Sequence, residues 1–140
     1  MKRSILLLAL VAPLGCTPPP SSLPPSCTPL TGEEIEAAFS DVVDQAVIED
    51  RDGGSARNLW CRNGAFSSSF TTPTGSDELT GRWWVDGDRR CVSSEAAFPD
   101  DGTSVRCVPV VRCGDRLASL NRQGDIHGWH HLAPATCPVD

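Results

Sequence analysis

Of seven cysteines, the six beyond Cys16, at 27, 61, 91, 107, 113 and 137, are spread along the chain with no C-x-x-C pair among them. Their meaning depends on how the chain begins. Met1-Lys2-Arg3 is followed by an apolar run over 5–12 and then by Pro13-Leu14-Gly15-Cys16. A membrane-spanning helix needs roughly 20 apolar residues, so this shorter run reads as an export leader. An even set of cysteines in an exported chain predicts three disulfides and a small fold braced by cross-links. Unpaired spacing argues against a metal site, and a nucleophilic cysteine would need one thiol left over.

The basic start, the short apolar run and Gly15-Cys16 together resemble the signal of bacterial lipoproteins. The resemblance implies cleavage before Cys16 and a diacylglyceryl group on its thiol. Pro13 and Leu14 stand where those signals usually carry a leucine and a small residue. Thr17, rather than an aspartate, implies sorting to the outer membrane, facing the periplasm. The expected organisation is a signal peptide over 1–15, a lipidated cysteine with a Pro/Ser-rich tether over 16–28, and one domain over 29–140. Prolines lack an N–H and favour an extended form, so residues 17–26 would hold that domain roughly 30 Å from the bilayer.

Charge narrows the partners. Losing Lys2 and Arg3 with the leader takes the cations from 12 to 10 against 18 carboxylates, a net charge of −8. An acidic domain with no basic stripe is a poor match to nucleic acid, whose binding rests on neutralised phosphates. Anionic lipid heads would repel it as well, leaving the acyl chains to hold it at a membrane.

One helix is signalled clearly. Thr31 and Glu34 form a capping box, flanked by Leu30 and Ile35 as a hydrophobic staple. Ile35, Ala38, Phe39, Val42 and Val43 make one apolar stripe, so a helix is predicted from about Gly32 to Asp44. The remainder reads as hairpins. Asn63-Gly64 predicts a type I′ turn that pairs Cys61 with Phe66 and turns Trp60 to the opposite face. A three-residue turn over 86–88 places Trp83 opposite Cys91 and Trp84 opposite Arg90, in an exposed cation–π pair. A hairpin centred on Pro99 sets Cys91 against Cys107 for a disulfide. Cys27 with Cys137 and Cys61 with Cys113 are the expected remaining bridges, out of the 15 connectivities that six cysteines allow.

The fold class is therefore α+β, mainly antiparallel β. An N-terminal helix is expected to pack on a disulfide-braced, curved meander sheet or partly closed barrel of six to eight strands. Gly81-x-Trp83-x-Val85, Gly87-Asp88, Cys91, Cys107 and Val111-x-Cys113-Gly114-Asp115 look like small secreted or lipid-anchored proteins of uncharacterised proteobacterial families. The likeness covers about residues 29–132 and implies no activity.

The chemical suspects are few. His127, His130 and His131 fall within five residues. On a strand, His127, Trp129 and His131 would share one side, with the outer two roughly 13 Å apart, too far for one zinc ion. Asp50-Arg51-Asp52-Gly53 resembles the opening of a calcium loop but lacks its later ligands, and reads as an acidic turn. No nucleophile elbow, phosphate loop or zinc-protease helix is present. Hence no catalytic residue, metal or cofactor is expected. The expected function is a structural or binding module of the cell envelope, taking an envelope protein or a small ligand. Trp60, Trp84, Arg90, His127, Trp129 and His131 would form its surface. The alternative is an inhibitor of a secreted hydrolase such as lysozyme or a protease, inserting Asp100-Asp101 or the Asp86–Asp88 turn into a basic cleft.

Overall fold

Thr31 caps a helix as its spacing to Glu34 requires. Its Oγ1 accepts from the Glu34 N–H at 3.3 Å, and the Glu34 carboxylate accepts from the Thr31 N–H at 2.8 Å. In the computed structural model, which describes residues 23–24, 26–98 and 102–139, this helix, α1, runs Gly32–Phe39. The leader, Cys16, most of the tether and Pro99, Asp100 and Asp101 lie outside the described residues.

The helix stops five residues before the expected Asp44. Asp41 adopts a left-handed φ of 58°, and its carboxylate accepts from the Arg62 backbone N–H and Nε at 2.9 and 3.1 Å. Val42 and Val43, expected on the helical stripe, instead open strand β2, Val42–Ile48. Their β-branched side chains suit a strand at least as well as a helix, and β2 pairs with β3, Gly54–Trp60, along its whole length.

The other strands are β1 (Cys27–Pro29), β4 (Ala65–Thr72), β5 (Gly75–Asp86), β6 (Arg89–Ser94), β7 (Val105–Val108), β8 (Val110–Cys113), β9 (Arg116–Leu120), β10 (Ile126–His130) and β11 (Leu132–Pro134). All pairings are antiparallel, in one path β1-β8-β9-β10-β2-β3-β4-β5-β6-β7, with β11 also on β2. Ten strands in that path exceed the six to eight expected. Only Pro109 separates β7, at one end of the path, from β8, near the other. The sheet must therefore curl until its two ends adjoin, a partly closed half-barrel.

Two hairpin registers differ from expectation by one residue. Cys61 C=O accepts from Gly64 N–H at 2.8 Å, Cys61 N–H donates to Ala65 C=O at 3.0 Å, and Gly64 has φ +88°. That is a three-residue loop with a glycine bulge, not a two-residue I′ turn. Trp60 therefore opposes Phe66 on the inner face. The next turn errs the other way. Asp86 pairs with Arg89 around Gly87-Asp88, with Gly87 at φ +58° in the first central position. Trp84 then opposes Cys91, and Trp83 opposes Val92.

Three disulfides lock the sheet. Cys91 and Cys107 are register partners and are bridged, as the hairpin spacing predicted. The other two pairs are exchanged relative to expectation: Cys27 joins Cys113 and Cys61 joins Cys137. Cys27 lies directly opposite Cys113 because β1 pairs with β8.

Two apolar clusters lie on opposite faces. The inner one joins Ile35 and Phe39 of α1 to Trp60, Phe66, Trp83, Val92, Val110 and Leu117. The outer one joins Val111, Ala118 and Leu120, with Ile126 and Trp129 packed against it. The helix sits at the end of the half-barrel that carries the Gly87-Asp88 turn, where Asp88 accepts from the Gly32 N–H at 2.8 Å. The β2–β3 and β4–β5 turns lie at the other end. Among the described residues, no helix is long and apolar enough to cross a membrane.

Candidate functional site

Inward-facing residues of β2, β3, β6 and β10 build a buried polar cluster beneath the helix. Asp44 is fully buried; its Oδ2 accepts from Asn58 Nδ2 at 3.0 Å and lies 2.8 Å from His130 Nδ1. An ionised carboxylate can only accept, so Nδ1 carries the proton. His130 Nε2 then faces Arg90 Nη1 at 3.5 Å. The Arg90 guanidinium, on a residue 7% exposed, lies 4.4 Å from the centres of both the Phe39 and Trp60 rings.

Charge and burial compete in this cluster. Burial pushes the Asp44 carboxyl upward, but its hydrogen bonds with His130 and Asn58 and the Arg90 charge together hold it below the usual carboxylate range. Burial dominates for His130, whose pKa falls despite Asp44. Burial also pushes Arg90 down to about 10, still charged near neutrality. The cluster is thus an Arg90–Asp44 ion pair bridged by a neutral imidazole. Arg90 Nε and Trp60 Nε1 are buried and have no protein acceptor.

Above this cluster, towards the end away from α1, the half-barrel holds a cavity of about 210 Å³. Phe66, Phe70, Leu79, Val92 and Phe98 line its apolar part. Its polar lining includes Asn58, Ser68, Ser119 and His127, together with Arg51, Arg90 and Arg106. No carboxylate lines it among the described residues. The Arg106 guanidinium stacks 4.4 Å above the Phe98 ring. A surface groove of about 410 Å³ adjoins it and shares Arg51, Arg106, Val108 and His127, adding Arg89 and Arg122.

His127 reaches the cavity through a β-bulge. The β9–β10 register shifts between Ile126 and Gly128, which places His127 inward with His130 and leaves Trp129 outside. The expected shared face of His127, Trp129 and His131 is therefore broken. His127 Nδ1 lies 2.7 Å from Asp50 Oδ1, and Asp50 Oδ2 accepts from Asn121 Nδ2 at 3.1 Å. Burial lowers the His127 pKa against the pull of Asp50. Asp50 is held below the usual range: burial raises it, and Asn121 and His127 outweigh that. Two carboxylate–imidazole dyads thus sit in one half-barrel. No serine, threonine or cysteine is hydrogen-bonded to either ring among the described residues.

The expected surface residues separate. Trp60 and Arg90 are interior, so neither is an exposed anchor and Trp84 has no cation–π partner in Arg90. Trp84 lies on the outer face at 39% exposure, opposite Cys91, and Trp129 lies outside under the Arg116 guanidinium at 3.9 Å. His131 is exposed, its Nδ1 3.3 Å from the Gln45 carbonyl oxygen. Asp44, Asn58, Arg51, Arg106 and His130 were missed as site residues. A carboxylate inside the β-branched run 42–48 was the available signal for Asp44. The Asp86–Asp88 turn is engaged by Arg89 and Gly32, and Asp100-Asp101 lies outside the described residues.

No family model, curated protein or solved structure matches the chain. The class of protein rests on the fold alone: a disulfide-braced, curled antiparallel β-sheet with a short helix over one end. Three disulfides fit an oxidising, exported environment.

Proposed function

We propose that the protein is a lipid-anchored, non-catalytic binding module of the cell envelope that holds a small molecule in the open end of its half-barrel. The cavity of about 210 Å³ carries this reading, because it joins an apolar interior to a few convergent polar groups. The leader and Cys16 supply the anchor, the tether supplies the reach, and the outer membrane facing the periplasm is the site of display. The inhibitor alternative draws less support, since the Asp86–Asp88 turn is occupied in holding α1.

Size limits the ligand. A cavity of ~150 Å³ takes benzene, so this one takes about eight non-hydrogen atoms. Burying eight methylenes at about 0.8 kcal/mol each contributes at most ~6 kcal/mol, a Kd of roughly 40 µM from apolar contact alone.

p-Xylene, neutral and of the right size, is the direct probe. Titration should give saturable shifts in the NMR signals of cavity residues and in tryptophan fluorescence, since Trp60 lines the cavity. Ala56→Phe, which fills the cavity from β3, should abolish them. Absence of saturable binding to the folded protein would remove the reading. Intact mass of the membrane-extracted protein tests the anchor: chain beginning at Cys16 plus acyl groups is expected, and an unacylated mass contradicts it.

A further inference from the structure

Resting on that binding reading, we infer that the ligand is a compact neutral molecule with a carbonyl or ether oxygen, which accepts from the stacked Arg90–Trp60 pair at the cavity floor. Both side chains line the cavity, on residues only 7% and 2% exposed. The Arg90 guanidinium lies 4.4 Å from the centre of the Trp60 ring, so their donors belong to one place. Each side chain carries a buried N–H, Arg90 Nε and Trp60 Nε1, for which no described residue supplies an acceptor. Buried donors ordinarily find one. The neighbouring Trp83 does so, its Nε1 donating to the Cys61 carbonyl oxygen at 2.7 Å.

The floor sets the polarity and the charge of the ligand. Guanidinium and indole nitrogens can only donate, so the pair selects an acceptor. Asp44 Oδ1 is a third buried polar atom without a partner, but Asp44 is not among the residues that line the cavity. The Arg90 charge is already offset by Asp44 through His130. A neutral acceptor therefore serves the donors without burying a second anion, whose desolvation would be costly. One carbonyl or ether oxygen has two lone pairs, enough to accept from both nitrogens. The apolar walls of Phe66, Phe70, Leu79 and Val92 hold the rest of the molecule.

Two probes of one shape isolate the oxygen. Cyclohexanone and methylenecyclohexane differ only in the atom doubly bonded to the ring, and both fit the volume. Proton–nitrogen NMR of the native protein follows Trp60 Nε1–H and Arg90 Nε–H as each probe is titrated to saturation. Neither probe is aromatic, so ring currents do not contribute. Cyclohexanone should move at least one of the two signals downfield, as a new hydrogen bond does, and methylenecyclohexane should bind without that shift. Cyclopentanecarboxylate, an anion of like size, should bind more weakly than cyclohexanone. Saturation by cyclohexanone with both signals no further downfield than with methylenecyclohexane would overturn the inference, as would a carboxylate that binds equally or more tightly. If cyclohexanone does not bind while methylenecyclohexane or p-xylene does, the oxygen is lost and the cavity reading stands. If no probe binds, the cavity reading itself fails.

Discussion

His130 shows how one side chain can be overlooked in a sequence and still organise a core. Its Nδ1 meets the buried Asp44 and its Nε2 faces Arg90, while its ring packs edge-on to Phe39 at 5.3 Å. Burial keeps the ring neutral in the fold, whereas the unfolded chain protonates it near its ordinary pKa of 6.5. A lowered folded pKa means that stability is fully present above about 6.5 and is lost as pH falls towards the folded value. His127 acts with the same sign, and Asp44, also lowered, withdraws its share below the carboxylate range. Urea unfolding at pH 7.5 and pH 5 should therefore show lower stability in acid, by at most about 1.4 kcal/mol per pH unit per histidine. His130→Asn should reduce that slope. Stability that is flat or rises on acidification would contradict the buried neutral imidazoles. The sequence marked His127 as notable, yet no local pattern paired Asp44 with a histidine 86 positions away.

Among the elements, turn chemistry decided which residues face inward. A one-residue change of register moves every side chain of a strand to the other face. Asn63-Gly64 announces a turn, and a turn forms there, but its three-residue loop rather than a two-residue one places Trp60 in the core. Burial of the large indole against Phe66 and Trp83, with ring centres 4.5 and 5.8 Å away, favours that register. The helix start was legible because capping is local; its end was not, because Val42 and Val43 satisfy both periods. Gly32 tests how α1 docks. Alanine is ordinarily preferred to glycine within a helix by up to about 1 kcal/mol. Here an added Cβ would lie 2.2 Å from the Gly87 carbonyl oxygen and 2.9 Å from Val85 Cγ1. Gly32→Ala should consequently destabilise the protein by about 1–3 kcal/mol in thermal or urea unfolding. A neutral or stabilising result would mean that α1 does not rest on that turn.

The whole molecule is held by cross-links at its margins. Cys27–Cys113 and Cys61–Cys137 span 86 and 76 residues, the first fastening β1 beside β8 and the second securing the segment after β11. Chain-entropy arguments assign loops of that size about 4.5 kcal/mol each, and loss of a native bridge in a small exported domain typically costs 2–5 kcal/mol. The Cys61→Ser/Cys137→Ser double variant should lose stability in that range. Non-reducing peptide mapping of the native protein should return these two bridges with Cys91–Cys107. Recovery of Cys27–Cys137 would refute the pairing of β1 with β8. What the linear chain settled by itself was local: a disulfide-braced, mainly antiparallel domain, its helix cap, the places of its turns and the Cys91–Cys107 bridge across one hairpin. Such features depend on neighbours a few residues apart, whose geometry short-range sterics and hydrogen bonding already restrict. Tertiary structure alone decided the long bridges, the inward turn of Trp60, Arg90 and His127, and the cavity they border. Those depend on which distant strands become adjacent when the sheet curls, an outcome of burying the core as a whole.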